Sequence, residues 1–206
     1  MNISAVLLAG GESRRMGKDK ATLLFCGKPL WEIQLEVLRR LEPAEILISA
    51  RTDPAWRPDD VQFIADIPPS RGPLSGLAAS LTNIRTTHLL ALAIDMPSIS
   101  EDYLRTLCDH IELGRGVVPK TNHGVEPLAA IYPREAEIEF REALMGTDFS
   151  LQTVTRRQVE SGKLREIRVT EQDQTLFLNM NELSDMPVVQ PRPCRPFRSR
   201  SLSDSA

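Results

Sequence analysis

The sequence predicts an α/β sandwich, with a mostly parallel central sheet and helices on both faces. Three observations carry this: apolar runs of strand length that end abruptly in glycine or aspartate, amphipathic stretches between them, and proline or glycine at the joints. An apolar run without alternation suits a strand covered on both faces, as crossover helices cover a parallel sheet. Ligands of such sheets sit outside the carboxyl ends of the strands, so the residues just after each run are the candidates for function.

Residues 3–9 (ISAVLLA) form the first such run and stop at Gly10-Gly11. Pro29 stands at a first helical position, and Leu30, Ile33, Val37, Leu38 and Leu41 recur at helical spacing until Pro43. Residues 46–48 read as the second strand and 61–65 as a third. A turn cluster of Pro68, Pro69, Gly72 and Pro73 then leads into a helix with Leu74, Leu77, Ala78, Leu81 and Ile84 on one face. Residues 88–94 (HLLALAI) are again apolar throughout and end at Asp95-Met96-Pro97. Ser98 or Ser100 caps the next helix, whose Glu101 and Asp102 lie near its positive end. Further on, 127–131 reads as a strand, 134–144 as a helix, and 164–169 and 176–178 as short strands. No internal repeat is visible. One domain is expected over 1–186, followed by a Pro-, Arg- and Ser-rich tail over 187–206 too poor in apolar residues to pack.

The 206 residues are 41% hydrophobic and 26% charged, the composition of an ordinary soluble globule with a real core. The run 3–9 is too short to span a bilayer, and no cationic segment precedes it as in a signal peptide, so a cytosolic protein without a membrane partner is expected. Cys26, Cys108 and Cys194 are odd in number and far apart, which suits reduced thiols and fits neither a disulfide framework nor a metal-ligand spacing.

The loop after the first strand is the strongest chemical signal. Gly10 and Gly11 let the backbone bring N–H groups against phosphate oxygens, and Arg14, Arg15, Lys18 and Lys20 add charge against only Glu12 and Asp19. The chain as a whole is net −3, so this cationic density points to a small polyphosphate, whereas a nucleic-acid binder would spread it over a face. Glu12 and Asp19 break the Walker pattern, and the third glycine of a dinucleotide fingerprint is missing. Asp95, at the end of a buried strand, suits either a turn or Mg²⁺ bound jointly with substrate phosphates. Asp66 has the same two readings, accepting from a nucleobase or capping a turn. Of the three histidines, His88 and His110 read as structural and His123 as a loop residue.

Five ordered blocks resemble the molybdenum cofactor guanylyltransferase family. They are Leu8-Ala9-Gly10-Gly11-x-Ser13-x-Arg15-Met16-Gly17-x-Asp19-Lys20-Ala21, Gly72-Pro73-Leu74-x-Gly76-Leu77, Asp95-Met96-Pro97, Pro127-Leu128-Ala129-Ala130-Ile131-Tyr132 and Phe177-Leu178-Asn179-Met180-Asn181. The resemblance implies a Rossmann-like nucleotidyltransferase fold and transfer of GMP from GTP to the phosphate of molybdopterin, with release of pyrophosphate. By the same resemblance, Leu8, Ala9 and Gly10 contact guanine and ribose through the backbone, Gly11 favours guanine over cytosine, and Asp66 holds the nucleotide. Lys20 and Arg15 serve the phosphates, Asp95 binds Mg²⁺, and Asn179 and Asn181 face the acceptor. Other cofactor-biosynthesis proteins or apo-molybdoenzymes are the implied protein partners.

Two positions depart from the family pattern: Arg51 stands where an asparagine is common, and Glu182-Leu183 follow Asn181 in place of Thr-Pro. A cytidylyltransferase or other small-molecule nucleotidyltransferase, and a GTP-binding regulator without turnover, are the alternatives. The implied chemistry needs no general base. A phosphate monoester, with its second pKa of about 6, is already a nucleophile at neutral pH, so the site need only align the reactants and neutralise charge.

Overall fold

β1 (Ile3–Leu8), buried along its whole length, is the strand around which the sheet is built. The computed structural model describes residues 2–10 and 19–180, so Gly11, Arg15, Asn181, Cys194 and the 187–206 segment lie outside the described residues. After Lys20 a small hairpin, β2 (Leu24–Phe25) and β3 (Lys28–Pro29), leads into α1 (Leu30–Arg40). Pro29 is the residue before the helix rather than its first member, and its extended backbone turns the chain into α1. There follow β4 (Glu45–Ala50), β5 (Gln62–Ala65), α2 (Pro73–Asn83), β6 (His88–Ala93) and α3 (Glu101–Cys108). Ser100 is the cap of α3, its hydroxyl accepting from the Tyr103 N–H at 3.2 Å.

The second half adds β7 (Gly116–Thr121), β8 (Gly124–Val125), β9 (Ile131–Pro133), α4 (Glu137–Met145), α5 (Leu151–Glu160) and β10 (Leu164–Arg168). The strand order is β10-β7-β9-β6-β1-β4-β5, with β8 paired to β7. β4, β5 and β6 run parallel to β1 or to each other, and β10 runs parallel to β7. Among the described residues of this sheet, β8 and β9 are the strands antiparallel to their neighbours. Because β9 opposes both β6 and β7, these two share a direction, and the carboxyl ends of β1, β4, β5, β6, β7 and β10 open on one edge.

Alternation along β1 divides the core. Ala5 and Leu7 join Leu35 and Leu38 of α1 and Leu104 of α3, whereas Val6 and Leu8 join Leu74, Leu77 and Leu81 of α2 and Phe140 of α4. Withdrawing each such side chain from water contributes roughly 1.5–3 kcal/mol, so this two-sided burial holds the sheet's edge in place.

Two expected strands are not strands. In 127–131, Pro127–Ala129 forms a 3₁₀ turn, because Pro127 has no N–H to give a ladder and the buried Tyr132 hydroxyl donates back to its carbonyl at 2.7 Å. In 176–178, Gln174–Phe177 is also a 3₁₀ turn. It is held by the Gln174 side chain donating to the Val169 carbonyl at 3.0 Å and by Phe177 edge-on to Tyr103 at 5.2 Å. The helix expected over 134–144 opens as a 3₁₀ turn, Arg134–Ala136, before α4. Among the described residues no helix is long and apolar enough to cross a membrane.

Cys108 is buried at the end of α3 and burial pushes its thiol up to about 11, whereas Cys26 is exposed. At pH 8 the Cys108 thiol is therefore neutral as well as shielded. Iodoacetamide footprinting should modify Cys26 within minutes and Cys108 only in denaturant; equal labelling of both in the native protein would contradict this packing.

Candidate active site

The register of β1 with its neighbours decides what meets at the open edge. Leu8 stands opposite Ser49 of β4 on one side and Ala93 of β6 on the other. The ladder continues past the strands: Ala9 N–H donates to the Ser49 carbonyl (2.9 Å), Ile94 N–H to the Leu8 carbonyl (3.2 Å) and Asp66 N–H to the Ala50 carbonyl (3.0 Å). Gly10, Asp66 and Asp95, far apart in sequence, are thereby set on the same edge of the four neighbouring strands β6-β1-β4-β5.

Asp66 lies against Gly10. A Cβ at position 10 would sit 3.3 Å from its carboxylate and 3.5 Å from the Ala50 Cα, so a side chain there would press on the acid. The carboxylate is 7% exposed and accepts from the Ser49 hydroxyl (3.1 Å) and the Ser70 hydroxyl (2.8 Å). Those two donors, which sequence reasoning missed, replace the water that burial removes. Ser49 was legible as a lone hydroxyl at the end of an apolar strand; Ser70 carried no signal beyond its turn.

Lys20 comes from the far end of the loop. Asp19 caps the short 3₁₀ turn Lys20–Thr22, its carboxylate accepting from the Ala21 N–H (3.0 Å) and from the Trp56 indole N–H (2.7 Å). Trp56 in turn stacks on Trp31 with ring centres 5.5 Å apart. Neither tryptophan stood out in the sequence, yet they brace the segment that presents Lys20. The Lys20 ammonium reaches the Asp95 carboxylate at 2.8 Å, with both side chains about one-fifth exposed. A pair this wet contributes at most about 1 kcal/mol to stability, so its position at the edge says more than its strength.

Asp95 is also fixed through its backbone, because its carbonyl accepts from the Met180 N–H at 2.8 Å. That bond brings the exposed Asn179 alongside. Leu8, Ala9, Gly10, Lys20, Asp66, Asp95 and Asn179 thus share one neighbourhood. Arg51 is exposed just beyond β4. His88 is buried between Thr87 and the Glu112 carbonyl, and His110, in the turn after α3, bonds the Thr106 carbonyl of that helix, so both serve the fold.

No cluster of three or more His, Cys, Asp or Glu that could hold a metal ion exists among the described residues. The donor that does stand at the edge, the hard oxygen of a single partly exposed carboxylate, suits an ion that takes one or two carboxylates and completes its shell with substrate phosphates and water. Farther along the edge, Thr121, His123, Glu126, Gln174, Phe177 and Leu178 line a cleft of about 150 Å³. Burial pushes the half-buried Glu126 carboxyl up, opposed by the Thr121 hydroxyl and by His123.

A family model for the MobA-like NTP transferase domain matches residues 5–161. A protein of Opitutus terrae named "Probable molybdenum cofactor guanylyltransferase" is 32% identical over 186 residues, covering 89% of this chain and 92% of the relative. A protein of the same name from Methanosarcina acetivorans is 30% identical over 198 residues, 89% of this chain and 88% of its own length. The crystal structure of molybdopterin-guanine dinucleotide biosynthesis protein A from Archaeoglobus fulgidus superposes with a TM-score of 0.70 at 23% identity, over 88% of this chain and 94% of that one, a likeness of fold.

Gly76 tests how the edge is held. A Cβ there would fall 2.6 Å from the Ser49 hydroxyl and 3.3 Å from Asp66, inside a buried contact between α2 and β4. Gly76→Ala should cost about 1–3 kcal/mol of stability through overpacking and displace the Asp66 carboxylate. Chemical denaturation measures the first, and an unchanged midpoint would contradict the close packing.

Proposed function

This chain belongs to the MobA-like NTP transferase family and is a nucleotidyltransferase; from that premise we propose that it transfers GMP from GTP to the phosphate of molybdopterin, using Mg²⁺. The observation that carries the reading is the meeting of Lys20 and Asp95 at 2.8 Å on the strand edge that also presents Gly10. The names of the relatives support guanine and molybdopterin as the two substrates. Apo-molybdoenzymes and other proteins of cofactor assembly are the partners this product implies.

In this reading the backbone of Leu8, Ala9, Gly10 and Gly11 receives guanine and ribose, with Asp66 behind Gly10 as a fixed acceptor wall. Asp95 would hold Mg²⁺ together with the triphosphate, and the ion would supply positive charge at the α-phosphate. Lys20 and Asp95 form a matched pair until the nucleotide enters. Lys20 then turns from the carboxylate to the phosphates of the departing pyrophosphate, where its charge is worth most as the bond breaks, and Arg15 serves the same phosphates. The acceptor's phosphate oxygen, ionised at neutral pH, forms the new bond to the α-phosphorus as the bond from that phosphorus to the β-phosphate oxygen breaks. Asn179 and Asn181 steady the incoming phosphate. What the chain contributes is alignment and charge.

Incubation with molybdopterin, Mg²⁺ and either GTP or CTP, followed by pyrophosphate release, tests this directly. Release with GTP is expected; release with CTP alone would overturn the guanine assignment. Asp95→Ala should abolish turnover at a nearly unchanged melting temperature, since a partly exposed carboxylate contributes little packing. A wild-type rate in that variant would remove Asp95 from the mechanism. Lys20→Ala should slow release by about a hundredfold or more, the scale of losing one transition-state donor, and a normal rate would assign that charge elsewhere.

A further inference from the structure

We propose that Glu126 is the specificity residue of the acceptor subsite, its carboxylate accepting from the paired N–H and amino groups of a 2-amino-4-oxopyrimidine ring such as that of a pterin. This rests on the acceptor reading above and names a residue outside the blocks that led to it: Glu126 stands immediately before Pro127.

Four observations place it there. Thr121 ends β7, whose direction matches that of β6, so the cleft that holds Glu126 opens on the same edge as Asp95. The segment lining the other side of that cleft, Phe177 and Leu178, continues in two residues to Met180, whose N–H is bonded to the Asp95 carbonyl. A ligand seated in the cleft therefore has its far end within reach of the metal-binding carboxylate. Third, the backbone presents Glu126 firmly. Its N–H donates to the Pro119 carbonyl at 2.9 Å, its carbonyl accepts from the Ala129 N–H at 3.2 Å, and Tyr132 clamps the next residue.

Fourth, the carboxylate's own hydrogen-bond supply is thin for its burial. Among the described residues its donor is the Thr121 hydroxyl at 3.3 Å, which also reaches the Gly124 carbonyl at 3.0 Å and has only one proton to give. Burial pushes the Glu126 carboxyl up, opposed by the Thr121 hydroxyl and by His123. A carboxylate accepts only, and takes two donors side by side, which is the pattern a 2-amino-4-oxopyrimidine edge offers. Phe177, partly lining the same cleft, gives the flat ring an aromatic wall.

The test uses the full chain and two probes: a 6-substituted pterin carrying a phosphate monoester, and the lumazine counterpart in which the 2-amino group is replaced by oxygen. Binding is followed by quenching of ring fluorescence, and GTP binding is measured in parallel. The wild-type protein should prefer the pterin by about tenfold or more, since lumazine turns a lone pair toward the carboxylate. Glu126→Gln should weaken pterin binding by about tenfold, erase the preference and leave GTP affinity unchanged. Equal affinity of the wild-type protein for both probes would overturn the proposal whatever the variant does. So would a Glu126→Gln protein that keeps the preference, or one that loses GTP affinity instead, which would assign the carboxylate to guanine. Failure of the acceptor reading looks different: neither probe binds while GTP does.

Discussion

The structure depends on parallel pairing in a fixed register at the centre of the sheet. Leu8 opposite Ser49 and Ala93 is what places Gly10 beside Asp66 and within one lysine of Asp95. The period of a strand is two, so a slip of one residue would turn Val6 and Leu8 to the wrong face and break both halves of the core. Burial of the core leucines on both faces thus fixes the relative positions of the polar groups at the sheet's edge.

The site uses its acids in contrasting ways. Asp66 is buried, supplied by two serine hydroxyls and pressed against a loop glycine, which makes it a rigid part of the pocket wall. Asp95 is partly open and balanced by a single flexible lysine, a partner that can leave. A wet ion pair is easily exchanged for a metal and a polyphosphate, since both charges find equal or better partners at once. In the proposed reaction the enclosed carboxylate shapes the site and the accessible one is assigned the binding.

Much of this was legible in the sequence, for a physical reason. The strands 3–9 and 88–94 are buried on both faces, so their apolar runs are unbroken and their ends sharp, and those ends are where Gly10 and Asp95 stand; the edge strand 61–65, interrupted by the exposed Gln62, leads to Asp66. β7 was hidden because Pro119 interrupts it, tolerated where β9 stops pairing and β8 has yet to begin. α5 was hidden because the residues it buries include Thr155 and Gln158, which mimic a solvent face. The 3₁₀ turns at Pro127–Ala129 and Gln174–Phe177 resemble strands in composition, and only distant contacts, Tyr132 to Pro127 and Phe177 to Tyr103, decide them. Ser49 and Trp56 act through partners many residues away, so local pattern reading passes over them, and Ser70, four residues from Asp66, is one hydroxyl in a turn where serine is ordinary.

A crystal soaked with GTP and Mn²⁺, the manganese standing in for magnesium, measures the central claim most directly. The account expects an anomalous peak bonded to the Asp95 carboxylate and the α-phosphate, the Lys20 ammonium drawn onto the phosphates, and guanine against the backbone of residues 8–10. A triphosphate bound with its metal away from Asp95, or a base seated away from that strand end, would contradict it.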